Sequence, residues 1–157
     1  MPFDNTLELI QQNHFDCLIL VHPHTQLLEK MLTQLESHPY PILNISKELS
    51  KSLLTVSPEE RARSTQQYFL EKTSSLHPGP VLCTHPDLLF EPTFKLDPLA
   101  LFRQAASIVQ LIVFWLGDFS DNTLSYAVPE HHHYRAWHIS ASLIHHPLVS
   151  IHRISAS

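Results

Sequence analysis

Three short apolar runs with no polar interruption constrain this chain more than anything else in it: Cys17-Leu18-Ile19-Leu20-Val21, Val81-Leu82-Cys83 and residues 111–116. A strand covered on one face alternates apolar and polar residues, whereas an unbroken run fits a strand covered on both. Ile42-Leu43-Asn44-Ile45 reads as a fourth strand. Helical spacing fills the gaps. Asp4 caps a first helix with Phe3, Leu7 and Ile10 that ends near His14, and Thr25 caps one carrying Leu27, Leu28, Met31, Leu32 and Leu35. Ser46 caps a short helix with Leu49 and Leu53, and Asp97-Pro98 starts another with Leu101, Phe102, Ala105 and Ala106. Ser57-Pro58-Glu59-Glu60 has the form of a capping box, which predicts a helix through Ala62, Thr65 and Phe69. Gly117 and the polar run to Asn122 predict a turn; Leu124, Tyr126 and Val128 then alternate as a strand, and Val149 and Ile151 mark a last edge strand. Strands separated by helices imply right-handed crossovers and a mostly parallel sheet between helical layers, here with a C-terminal antiparallel edge. At 157 residues the chain (1–157) is expected to be a single α/β domain.

Several function classes drop out on composition. The chain has only two glycines, Gly79 and Gly117, and loops that cradle phosphates need several residues without a Cβ. Intact phosphate-loop and dinucleotide fingerprints are therefore missing. A formal charge of −5 argues against a direct nucleic-acid partner. Cys17 and Cys83 sit inside apolar runs, as core thiols of a reduced cytoplasmic protein do. The longest uncharged apolar stretch, residues 104–117, is shorter than the ~20 residues that span a bilayer, so no membrane association is expected.

The order of several phrases resembles one known family. These are Leu18-Ile19-Leu20-Val21, Leu43-Asn44-Ile45-Ser46-Lys47-Glu48-Leu49-Ser50, Asp87-Leu88-Leu89-Phe90-Glu91-Pro92, Lys95-Leu96-Asp97-Pro98-Leu99 and Leu124-Ser125-Tyr126-Ala127-Val128-Pro129-Glu130-His131, followed by Tyr134. Over residues 7–139 they resemble the small P-loop protein of type 3 bacteriophage-exclusion (BREX) defence systems. The resemblance implies a small P-loop NTPase-like three-layer sandwich, a place among the protein subunits of an anti-phage system, and, for an intact member, ATP binding.

This chain departs from that pattern where the chemistry would lie. A working loop, G-x-x-x-x-G-K-[ST], needs glycines for a backbone nest, a lysine for the phosphates and a hydroxyl for Mg²⁺. Here His22-Pro23-His24-Thr25 stands in its place, with Thr25 matching only the hydroxyl, and Lys30 lies too far into the helix to substitute. Where the second motif ends a strand in a metal-organising aspartate, this chain has Thr84; Asp87 follows three residues later. ATP-Mg binding, and with it any cofactor or catalytic residue, is not expected: the chain reads as a degenerate NTPase acting as a noncatalytic adapter or assembly subunit.

An alternative function uses the histidines, of which there are 13. If the first strand and the strand ending at Thr84 are neighbours, His22, His24 and His85 converge at their carboxyl ends. There they would form a site for Zn²⁺ or a metal-dependent or residual nucleotide-binding enzyme. His131-His132-His133 reads as a solvated loop. A candidate partner surface comprises Tyr126, Tyr134, Arg135 and Trp137, residue types that dominate binding energy at interfaces.

Overall fold

The structure, a computed structural model, describes residues 8, 10, 11, 14–127, 134–145 and 147–154. Phe3, Asp4, Leu7, Val128 and His131-His132-His133 lie outside them. The apolar runs become β1 (Cys17–His22), β3 (Val81–Thr84) and the first part of β4 (Leu111–Ser120), and β2 (Ile42–Asn44) joins them. With β7 (Val149–Arg153) they form the parallel order β2-β3-β4-β1-β7. Cys17 aligns with Leu111 on one side and Val149 on the other, so β1 is paired along both edges.

The uninterrupted apolar pattern is explained by the two layers the sheet separates. On one face Leu18, Leu20, Leu82, Ile112 and Phe114 pack with Leu27, Leu28, Met31 and Leu35 of α1 (Thr25–Leu35), together with Ile10. On the other face Cys17, Ile19, Val81, Cys83, Leu111 and Val113 meet three helices. These are α2 (Ile45–Ser52), α3 (Arg61–Ser75) and α4 (Pro98–Ala106), through Leu49, Phe69 and Phe102 among others. A fifth helix, α5 (Ala141–Ile144), precedes β7. The expected α/β architecture with a mostly parallel sheet is present, and among the described residues no helix is long and apolar enough to cross a membrane.

Several local expectations are corrected. The last strand is an edge strand but runs parallel to β1. The antiparallel part instead grows from β4, which runs beyond Leu116, its last partner on β1, and pairs with β5 (Thr123–Tyr126); β5 then pairs with β6 (Arg135–His138). Gly117 belongs to this strand and not to a turn. A Cβ there would stand 1.9 Å from the Ser125 carbonyl oxygen, the same oxygen that accepts from Trp115 Nε1 at 2.9 Å. Asp121 and Asn122 make the turn, both with positive φ (51° and 57°), as tight hairpins require.

Two of the predicted caps are displaced. Asn44 precedes α2 and accepts from Lys47 N–H, which leaves Ser46 free for a tertiary role; Thr25 lies inside α1, after His24. Ser57 precedes a 3₁₀ turn, Pro58–Glu60, and its side chain makes no capping bond. Asp97 caps α4 as predicted, accepting from Ala100 N–H at 3.2 Å.

Candidate functional site

Connections from β1 and β3 leave the sheet toward opposite faces, β1 into α1 and β3 toward α4. Between their carboxyl ends a crevice opens over β4, the position where open α/β sheets hold ligands. The expected adjacency of β1 and β3 is corrected here: β4 lies between them. The crevice is a cavity of about 90 Å³ with Leu28, Leu32, Phe114 and Leu116 as its apolar wall and Thr25, Glu29, Thr84 and Asp87 as its polar groups.

The protein's own side chains fill the polar part. His85 Nε2 lies 2.9 Å from Glu29 Oε1, and His85 Nδ1 lies 2.9 Å from Thr84 Oγ1. A carboxylate only accepts, so Nε2–H donates to Glu29, and in the neutral ring Nδ1 accepts from the Thr84 hydroxyl. Thr84 is buried, whereas His85 and Glu29 reach the rim. His85 has left-handed backbone (φ 52°), and its carbonyl is held by Ser46, whose amide and hydroxyl donate to it at 3.0 and 2.6 Å. The Ser46 hydroxyl also accepts from Leu88 N–H at 3.2 Å. One serine thereby ties α2 to the turn after β3.

The β1–α1 connection closes on itself as well. His22 is buried, and its Nδ1 accepts from the His24 amide at 2.9 Å. That bond places the proton of the neutral ring on Nε2 and satisfies the amide that precedes α1. Burial, reinforced by the charges of His24 and Arg153, holds the His22 imidazole below the ordinary histidine range. The Asp87 carboxylate accepts from the Tyr126 hydroxyl at 2.7 Å; burial first, then this carboxylate, pushes the Tyr126 phenol up. Cys17 and Cys83 are fully buried, and burial pushes the Cys17 thiol up to about 12.

The histidine and aromatic sets expected from the sequence are only partly assembled. His22 and His24 stand together, with ring centroids 5.3 Å apart, whereas His85 follows β3, which β4 separates from β1, and pairs with Glu29 of α1. Among the described residues no three His, Cys, Asp or Glu side chains are grouped to hold a metal. Tyr126 is corrected from surface to core: it is buried and stacks on Phe90 at 3.6 Å and 8°. Trp137 is half-buried; its Nε1 donates to Asp97 Oδ1 at 3.1 Å and its ring meets Trp115 at 5.5 Å. Arg135 lies 5.2 Å over the Trp137 ring and donates to the Leu96 carbonyl, so only Tyr134 of the four is exposed.

Sequence reasoning missed Glu29 and Ser46. Glu29 has a legible signal, one helical turn after Thr25 and therefore on the same face of α1. Ser46 has none, because its partners lie 39 and 42 residues away. Comparison with protein-family models, with curated proteins and with solved structures finds no match.

Proposed function

We propose that this chain is a noncatalytic adapter or assembly subunit, built on a P-loop NTPase-like frame that no longer takes ATP-Mg. In this reading it works in the cytoplasm beside other protein subunits of an anti-phage system of the BREX kind. The observation that carries the loss of nucleotide binding is the state of the crevice. The space left over β4 is about 90 Å³, well under the roughly 300–1,000 Å³ of ordinary ligand sites, and Glu29, His85 and Thr84 bond to one another across it. The missing glycines and lysine support the same conclusion, since phosphoryl transfer depends on positioned donors and a held metal. The placement in a defence system rests on the ordered phrases alone.

A second reading, a residual nucleotide-binding or metal-dependent enzyme, is favoured by one observation, the hydroxyl–imidazole–carboxylate chain from Thr84 through His85 to Glu29. It requires that chain to open toward a substrate. Co-expression with the products of flanking genes separates the two. The assembly reading expects a stable complex that forms equally with and without ATP-Mg. A complex that forms only with ATP-Mg, or nucleotide hydrolysis abolished by His85→Ala, would support the enzyme reading instead.

A further inference from the structure

Reachable bonding capacity in this molecule lies along a sheet edge and not in its concave surfaces. The groove beside α3, about 480 Å³ between Leu54 on one side and Leu88 and Phe94 on the other, holds the Arg61 Nε too deep for solvent to reach. Among the described residues three strands pair along one side only: β2, β6 and β7. β2 is three residues long and follows Pro39 and Pro41, and β6 is four residues long. Short strands and prolines are common ways of keeping an edge from pairing. β7 is five residues long and contains neither proline nor lysine.

The register of β7 on β1 fixes which of its groups turn outward. Cys17 N–H donates to the Leu148 carbonyl at 3.0 Å, and Ile154 N–H donates to the Val21 carbonyl at 2.9 Å. Residues alternate in a parallel ladder, so the even-numbered ones bond to β1, and the main-chain N–H and C=O of Val149 and Ile151 point to the open edge. The Val149 side chain is buried in the layer of α2, α3 and α4, and Ile151 packs against the same layer half-buried. Ser150 and His152 lie on the opposite face, with Oγ and Nε2 2.8 Å apart. Burial holds the His152 imidazole below the ordinary histidine range. At neutral pH the strand therefore carries one charge, Arg153 at its end, which pairs with Asp118 at 3.0 Å.

We infer that β7 pairs antiparallel with β7 of a second copy of this chain, across a two-fold axis at Ile151, joining two sheets into one. In this register Ile151 meets its own copy and exchanges both main-chain bonds with it. Val149 stands opposite the second copy's Arg153, and Ser150 opposite its His152. Identical residues meet only at the apolar centre. The two arginines sit at opposite ends, about 14 Å apart along the strands at ~3.4 Å per residue, beyond the screening length of about 8 Å at physiological salt. An axis at His152 would set two imidazoles face to face and bring the arginines within two residues of each other. An axis at Ser150 would leave Arg153 with no residue of β7 opposite it. Self-complementarity of this kind is what a two-fold interface requires of a surface. The dimer goes beyond the proposed function and does not depend on it: ATP-Mg binding would remove the adapter reading and leave the dimer standing.

Sedimentation equilibrium of the purified chain across the micromolar range tests it. The expected result is a mass near twice 18.0 kDa. Ile151→Pro removes an N–H that points away from β1, a position where an edge strand tolerates proline, and should return the mass to that of one chain. Should that variant fail to fold, single cysteines report the register. Ile151→Cys should give a disulfide-linked dimer under mild oxidation, because Cα atoms of a hydrogen-bonded antiparallel pair lie about 5.5 Å apart, within disulfide reach. Ser150→Cys should not, since its counterpart stands two residues out of register, at roughly 8 Å. Cys17 and Cys83 are buried and do not compete.

A single chain at every concentration, or an assembly larger than two, overturns the proposal. So does a dimer that folded Ile151→Pro leaves intact, since the contact would then lie on another surface. Crosslinking through Ser150→Cys in preference to Ile151→Cys overturns the register and with it the two-fold at Ile151.

Discussion

The crevice over β4 and the groove beside α3 are both concave, yet they differ in how their polar groups are used. In the crevice most of the polar groups are engaged within the chain: His85 with Glu29 and Thr84, Asp87 with Tyr126, and the His85 carbonyl with Ser46. In the groove the Arg61 Nε is buried without a partner, and Leu54 stands in water. Position in the fold points to the crevice as the ligand site, while hydrogen-bond satisfaction points away from it. Bonds already made inside a site must be broken before a ligand can use those groups, so a place favoured by topology can still be closed by chemistry.

If the crevice is held shut from within, breaking its supports lowers stability most where burial is deepest. Tyr126→Ala should cost about 3–5 kcal/mol in urea denaturation, the range for deleting a large buried aromatic ring. That ring stacks on Phe90 and meets Trp115 edge-on at 6.1 Å. Tyr126→Phe should cost only about 1 kcal/mol, since it removes a single hydrogen bond to an exposed carboxylate. Equal losses for the two variants would mean that the Asp87 bond, and not packing, fixes the turn. Ser46→Ala comes next, at about 1–2 kcal/mol, because it leaves the Leu88 amide and the His85 carbonyl each short of a partner. An unchanged midpoint would show that this serine does not brace the turn.

These supports divide sharply by how far sequence can reveal them. β1, β3 and the start of β4 are legible because burial on both faces erases alternation, and Asp97 is legible because a cap bonds only three residues ahead. Gly117 misleads, since glycine suits a turn equally well, and only the Ser125 carbonyl in the next strand explains its place inside β4. Tyr126 and Trp137 mislead for a related reason: aromatic residues serve cores and interfaces alike, and Phe90 and Trp115, which decide between the two, are distant in sequence. In the crevice, Thr84, His85 and Asp87 can be singled out from sequence, but their partners Glu29 and Tyr126 come from other elements.

Acid should act on the crevice end of the molecule and spare the groove. His22 and His152 are both held below the ordinary histidine range, mainly by burial. As pH falls through the unperturbed value of about 6.5 the unfolded chain takes up protons that the folded chain refuses, so their stabilisation is full above that pH and is lost below it. His22→Asn retains an acceptor for the His24 amide without a titrating ring. It should therefore flatten the fall in urea midpoint on acidification, and identical slopes in wild type and variant would remove His22 as a source of it. The smallest effect is expected at the groove. Leu54→Ser should change stability by no more than about 0.5 kcal/mol, as surface substitutions do. A larger loss would place Leu54 in the folded core's support and narrow the contrast between the two regions.

The most direct measurement of the central claim is calorimetric titration of the folded chain with ATP-Mg. With Glu29, His85 and Thr84 bonded to one another and a cavity of about 90 Å³ between the walls, no saturable heat is expected up to millimolar nucleotide. Saturable binding at unit stoichiometry with a Kd in the low micromolar range would mean that the crevice opens, and would contradict the account.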